Sequence, residues 1–177
     1  MKFLTITEKN DPYLLFVKEL YLTAFPKEER RDWQQLLDMI DTSGEMWLQV
    51  IEEDDVTIGF IIFWILEDWC FIEHLAVDAG LRGKRYGERI IKELMKYKKL
   101  LLEVEPPVID DAIRRIGFYE RFGFNTLPFP YLQPSYTTPG ESFPMVLMTN
   151  TTEREKDQFS EIINLIMTKV YAQPGDK

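Results

Sequence analysis

Phe71-Ile72-Glu73-His74-Leu75-Ala76-Val77, followed four residues later by Arg82-Gly83-Lys84-Arg85-Tyr86-Gly87, decides the fold. The first segment is an apolar run of strand length. The second is a basic turn with two glycines, and from Tyr86 to Lys96 the pattern is helical. A strand, a glycine-bearing turn and a helix start in this order make an anion site. The first N–H groups of a helix have no partner within it, and the helix dipole places partial positive charge there. Glycine lets a phosphate approach the backbone closely. From Arg82 to Lys99 there are eight basic and two acidic residues, a local balance of +6 in a chain of net charge −9, so the remainder carries −15. One basic island in an acidic protein points to a local polyanion, not to general affinity for nucleic acid.

Working outward, Met46 to Glu52, Val56 to Leu66 and Trp69 to Val77 read as three strands. Their connections, Glu53-Asp54-Asp55 and Glu67-Asp68, are short enough for antiparallel hairpins. Leu100 to Val104 reads as a buried strand stopped by Pro106-Pro107. Asp110 or Asp111 then caps a helix with Ile113, Ile116 and Phe122 inward, and Gly123 stands where a helix end takes a left-handed residue. Before the hairpins, Met1 to Thr7 suggests a strand and Asp11-Pro12 opens a helix. A second helix begins near Asp32, with Trp33, Leu36, Leu37 and Ile40 on one face. Leu127 to Pro144 holds five of the ten prolines among aromatic residues and is expected to be a stiff loop. Met145 to Met148 is a short late strand. Thr152-Glu153-Arg154-Glu155 has the form of a capping box, and Phe159, Ile162, Ile163, Ile166 and Val170 make an apolar stripe on a last helix.

The 177 residues, 45% of them hydrophobic and 14% aromatic, describe a folded protein expected to be one domain, residues 1–177. Its core is expected at about residues 2–148, with the last helix, about 152–171, added to it. The N-terminus turns polar too soon for a signal peptide, and no apolar run reaches the length of a membrane span. One cysteine and one histidine exclude an internal disulfide and argue against a structural metal site. A cytoplasmic protein with no membrane and no metal is the expectation.

The two motifs together, in this order of elements, resemble the GNAT acyltransferases over roughly Lys2 to Met148. Arg82 to Gly87 is similar to the family's Arg/Gln-x-x-Gly-x-Gly/Ala loop. Ile116-Gly117-Phe118-Tyr119-Glu120-Arg121-Phe122-Gly123-Phe124 resembles its second signature, an aromatic-Tyr-Glu segment closed by Gly-Phe. The resemblance implies an α/β (α+β) fold with a mixed, mostly antiparallel sheet flanked by helices. It also implies acetyl-CoA as co-substrate and direct transfer of its acetyl group to a primary amine of a small molecule or peptide. Arg85 departs from the signature, which has glycine there; as a helical residue it would need no positive φ and would still present its N–H.

On that resemblance, the backbone of Gly83 to Gly87 holds the pyrophosphate, with charge added by Arg82, Lys84 and Arg85. The cofactor is further bound by Tyr86 and Phe118. Leu75, Ala76 and Val77 pair with the pantetheine arm as with an added strand. Tyr119 is the expected general acid, since a phenol is protonated at neutral pH, and it also touches the cofactor. Glu73 is the expected general base. On regular alternation it shares a face with Phe71, Leu75 and Val77, where an apolar setting raises a carboxyl pKa. His74, on the opposite face, and a water are the alternatives for the base; a β-bulge would exchange the faces. A non-catalytic acyl-CoA sensor on the same fold is the rival reading, and the last helix's stripe leaves room for a homodimer.

Overall fold

The computed structural model describes residues 1–97, 99–152 and 156–171. In chain order the elements are β1 (Lys2–Thr5), α1 (Leu14–Ala24), α2 (Trp33–Thr42), β2 (Met46–Glu53), β3 (Val56–Leu66), β4 (Trp69–Val77), α3 (Tyr86–Leu94) and β5 (Lys99–Val104). There follow α4 (Asp110–Glu120), β6 (Asn125–Thr126), β7 (Tyr131–Pro134), β8 (Ser142–Thr149) and α5 (Lys156–Leu165), which ends in a wider turn over Ile166–Val170. The strands form an eight-stranded sheet in the order β1-β2-β3-β4-β5-β8-β6, with β7 paired to β8. The β4–β5 pair is parallel and the others are antiparallel. The expected mixed, mostly antiparallel α/β fold is therefore present, and β3 and β4 keep the bounds read from the sequence.

Strand alternation sends apolar side chains to both faces, and each face is covered. On one, Phe60, Ile62, Trp64 and Phe71 pack with Val17, Tyr21 and Leu36 of the first two helices and with Phe159, Ile162, Ile166 and Val170. On the other, Ile61, Phe63, Cys70 and Ile72 pack with Ile90, Ile91 and Leu94 of α3, and Ile116 and Phe118 of α4 lean on them. The stripe of the last helix is thus covered by the chain itself. Among the described residues no helix is long and apolar enough to cross a membrane.

Two expectations need correction, and a third lies outside the described residues. Leu127 to Pro144 is not one loop: Tyr131–Pro134 pairs with Ser142–Pro144 and Met145 as a hairpin. Among the described residues β7 has β8 as its one strand neighbour, and such an edge tolerates proline. Ile113 is 51% exposed, because the inner face of α4 runs through Ala112, Ile116 and Tyr119. The capping box falls on residues 153–155, outside the described residues.

Two irregularities of β4 open the sheet on one side. The pairing with β3 steps from Ile62↔His74 to Phe63↔Ile72, so Glu73 has no residue opposite it: this is a β-bulge. The pairing with β5 covers Trp69 to Ile72 against Lys99 to Leu102 and then stops. Beyond it the two parallel strands part. Gly59 on β3 faces Val77, where a Cβ would run into the Ala76 carbonyl oxygen; glycine lets the strands stay this close past the bulge.

Candidate functional site

Where β4 and β5 part there is a cleft of about 540 Å³. Its walls include Glu73, Leu75, Ala76 and Val77 from β4, Leu102 and Glu103 from β5, and Arg115, Phe118 and Tyr119 from α4. Arg82 and Gly87 close one end, and Thr23, Ala24 and Phe25 line it from the end of α1. Among the described residues no strand replaces β5 beside Leu75 to Val77, so this edge of β4 is free to pair with an extended ligand.

The loop before α3 carries the anion-binding features. Asp78 accepts a bond from the Gly80 N–H at 2.7 Å and starts a tight turn over Ala79–Leu81. Gly83 has φ +82°. Among the described residues the N–H groups of Gly83, Lys84, Arg85, Tyr86 and Gly87 meet no backbone acceptor. Arg85 caps α3 with φ 57°, a left-handed conformation, and is not a helical residue as expected. The signature's glycine is explained by this geometry, and Arg85 adopts it at a cost of about 1 kcal/mol or more. The left-handed Arg85 followed by helical Tyr86 points successive N–H groups into one concavity, a nest suited to phosphate. Arg82, Gly83, Lys84 and Arg85 are exposed, and the last three lie outside the cleft wall. The Tyr86 ring packs on the second core, under the Arg89 guanidinium.

Tyr119 lies in the cleft wall with its ring against Phe118 and Phe124. Among the described residues nothing hydrogen-bonds its hydroxyl, and burial pushes its pKa up to about 12. It is a protonated donor facing the cleft.

Glu73 does not keep all the face-mates that regular alternation gives it. The bulge keeps it with Phe71 on the face of the first core but sends Leu75 and Val77 to the other. His74 turns to the same side as Glu73, its ring 5.1 Å from that of Tyr21 and 4.5 Å from that of Phe25. Nor is the Glu73 carboxyl raised. Burial opposes its charge, but Arg31 foremost, with the Trp64 and Tyr136 donors, holds it below the usual carboxylate range. Arg31 Nε and the Trp64 and Tyr136 donors reach its oxygens at 3.0, 2.6 and 2.9 Å. Arg31 also donates to the Val170 carbonyl and stacks under the Tyr136 ring at 4.9 Å. His74 donates from Nε2 to the Glu29 carbonyl at 2.9 Å, and burial, against the pull of Glu73, keeps the ring below its ordinary pKa and neutral.

The sequence reading passed over Glu103. Its Oε2 accepts from the Tyr171 hydroxyl at 2.6 Å and its Oε1 from Tyr131. Burial first, with Glu73 adding repulsion, outweighs these two donors and pushes its pKa up to about 7. The available signal was the lone acid in Leu100-Leu101-Leu102-Glu103-Val104: a charged residue in a buried strand needs a partner.

Comparison with known proteins gives one family. A family model described as the acetyltransferase (GNAT) family matches residues 14–124. The chain is similar to a solved structure described as "Putative acetyltransferase from GNAT family from Bacteroides thetaiotaomicron", with 33% identity, TM-score 0.92, and 98% of this chain and 100% of that one covered. It is 28% identical over 103 residues to "Putative acetyltransferase YjbC" of Bacillus subtilis (strain 168), covering 56% of this chain. That match spans 52%, about half, of this curated relative's length. In fold alone it is similar to an aminoglycoside 6'-N-acetyltransferase solved with coenzyme A (16% identity, TM-score 0.57, 88% of this chain and 100% of that one).

Proposed function

The chain belongs to the GNAT acetyltransferase family, and from that premise we propose that it is an N-acetyltransferase: it moves the acetyl group of acetyl-CoA directly to a primary amine of a small molecule or peptide. One catalytic domain carries this activity, its core at about residues 2–148 with the last helix folded onto it. The observation that supports the reading is an unpaired β4 edge and the Tyr119 side chain in one cleft, with the loop before α3, whose N–H groups meet no backbone acceptor among the described residues, adjoining it at Arg82 and Gly87.

Each element has a part. The N–H groups of Gly83 to Gly87 bind the pyrophosphate, with Arg82, Lys84 and Arg85 adding charge-assisted bonds of roughly 1.5–3 kcal/mol each. Leu75, Ala76 and Val77 pair with the pantetheine amides, and Phe118 and the Tyr86 backbone complete the site. Bound acetyl-CoA supplies an activated thioester. Tyr119 gives its proton to the leaving sulfur. Glu73, whose oxygens are occupied by Arg31, Trp64 and Tyr136, positions the floor of the cleft; it does not take a proton. An acidic surface favours a cationic acceptor.

The test is Tyr119→Phe beside the wild type, with acetyl-CoA affinity read by calorimetry and transfer read by thiol release with a panel of primary amines. Turnover should fall by about 10²-fold or more, with affinity within about two-fold. Unchanged turnover removes Tyr119 as the acid. Tight acetyl-CoA binding with no transfer to any amine favours a sensor on the same fold.

A further inference from the structure

The outer face of α4 is apolar at its centre, and it lies open. Ala112 and Ile116 turn to the core, while Arg115, Phe118 and Tyr119 line the cleft. At the helical period the opposite side carries Ile109, Asp110, Ile113, Gly117, Glu120 and Arg121. Ile109 is 57% exposed and Ile113 51%, and Val108 just before them is 81% exposed. This tip is held stiffly. The Val108 N–H donates to the Pro106 carbonyl at 2.7 Å, and Pro106-Pro107 fix the approach.

Gly117 is the second oddity of this face. Inside a helix, glycine is the least favourable residue after proline. A Cβ at Gly117 would meet no atom within 4 Å, so packing within the chain does not require glycine there. The missing side chain leaves a hollow beside the exposed Ile113. Charge marks the two ends of the face. The ion pairs of the helix, Arg114 with Asp111 and Arg115 with Glu105, leave out Asp110 at its start and Arg121 at its end. Among the described residues Asp110 meets no cation and Arg121 no carboxylate; Arg121 donates to the Gly117 carbonyl at 2.9 Å.

We propose that this face docks a second copy of the same chain, packed antiparallel about a two-fold axis passing between residues 115 and 116. In that register Asp110 of each copy faces the partner's Arg121, and Ile113 of each drops beside the partner's Gly117. Every contact occurs twice, as a two-fold interface requires. A parallel pair would set Asp110 on Asp110 and Arg121 on Arg121. Antiparallel helices also place each dipole's positive end beside the other's negative end. With no side chain at Gly117, the two axes can approach at the near end of the usual range of about 8–10 Å. The stripe of the last helix plays no part, since the chain covers it. One helix pair is a small interface, in the class below about 1,200 Å² that weak, reversible pairs bury. The dimer should therefore form and dissociate with concentration. The proposal is independent of the transferase reading, and docking does not consume the cleft-lining residues on the other sides of α4.

Sedimentation velocity from about 1 to 300 µM tests it. Wild type should show a monomer–dimer equilibrium. Ile113→Asp should stay monomeric with an unchanged circular dichroism spectrum, because the side chain is exposed in a single copy. Gly117→Gln should weaken association by about ten-fold or more. It should also raise the melting temperature of dilute protein, since it replaces a helical glycine where there is open space. Asp110→Arg alone and Arg121→Asp alone each set like charges across the axis, and each should weaken association by about ten-fold or more. An equimolar mixture of the two restores opposite charges at both ends and should associate about as tightly as wild type. That recovery is specific to an antiparallel pair of this helix. A wild type still monomeric at about 300 µM overturns the proposal and leaves the face to a different protein. A dimer that survives Ile113→Asp and both charge variants overturns it too, by placing the interface elsewhere, and a mixture that does not recover overturns the register.

Discussion

Glu73 and Glu103 stand next to each other where two parallel strands part, and the fold treats them in opposite ways. Glu73 is enclosed by Arg31, Trp64 and Tyr136 and is held ionised below the usual carboxylate range. Glu103 has two tyrosine hydroxyls, no basic partner among the described residues, and a pKa pushed up to about 7. Both are withdrawn from water, so burial alone does not assign a carboxylate its role. The counter-ion does. A compensated acid becomes structure, and an uncompensated one facing a cleft remains available for chemistry.

The sharpest way to break this contrast is to remove the compensated member. Glu73→Gln leaves the Arg31 guanidinium, 2% exposed, without its anion. Stranding one partner of a buried pair costs about 3–5 kcal/mol. Urea unfolding at pH 7 should show a loss of that size. A loss below about 1 kcal/mol would mean that Arg31 finds other partners and that Glu73 is no more committed to structure than Glu103.

The contrast was partly legible beforehand. The bounds of β3 and β4, the loop before α3 and Tyr119 could be read because apolar runs, glycines and a motif are local signals. The bulge at Glu73 could not. Phe71, Ile72, Leu75 and Val77 are apolar, so the segment fits the sheet in either register, and hydrophobic pattern alone cannot place the slip. Arg31 ends the run Lys27-Glu28-Glu29-Arg30-Arg31, which has the composition of a surface turn, yet it is buried. The donors to Glu103 lie 28 and 68 residues downstream of it, and no local pattern joins them. What the sequence hides is long-range charge pairing, because it depends on the finished fold.

A second measurement keeps the fold and alters only the uncompensated acid. Glu103 has a carboxyl pKa raised to about 7 from an ordinary 4.5. Between those values the folded state binds more protons than the unfolded chain, so this residue's contribution to stability is fully present below about pH 4.5 and is lost as pH rises through about 7. Glu103→Gln lacks that loss. Relative to wild type, the variant should gain stability steadily from about pH 4.5 to 7 and then hold level, the total gain reaching at most about 3 kcal/mol. Melting temperatures across that range test it. A difference that does not change with pH would place the Glu103 carboxyl in the ordinary range and erase the distinction from Glu73.

The smallest effect separates the two acids through their tyrosines. Tyr136 donates to Glu73 at 2.9 Å and Tyr171 to Glu103 at 2.6 Å. A hydrogen bond to an ionised group is worth about 1.5–3 kcal/mol, and one between neutral groups about 1. Glu73 is ionised from pH 5.5 to 8, because Arg31 holds its carboxyl low. The cost of Tyr136→Phe should therefore be the same at both ends of that interval. Glu103 passes from protonated to ionised within it, so its bond from Tyr171 strengthens as pH rises. The cost of Tyr171→Phe should grow by about 1 kcal/mol between pH 5.5 and 8. The loss of the Gln133 bond to the Tyr171 hydroxyl adds to that cost equally at both pH values and cancels in the difference. A pH-independent cost for both variants would show the two carboxylates ionising alike. A pH-dependent cost for Tyr171→Phe alone would identify the acid that lacks a counter-ion without any assay of activity.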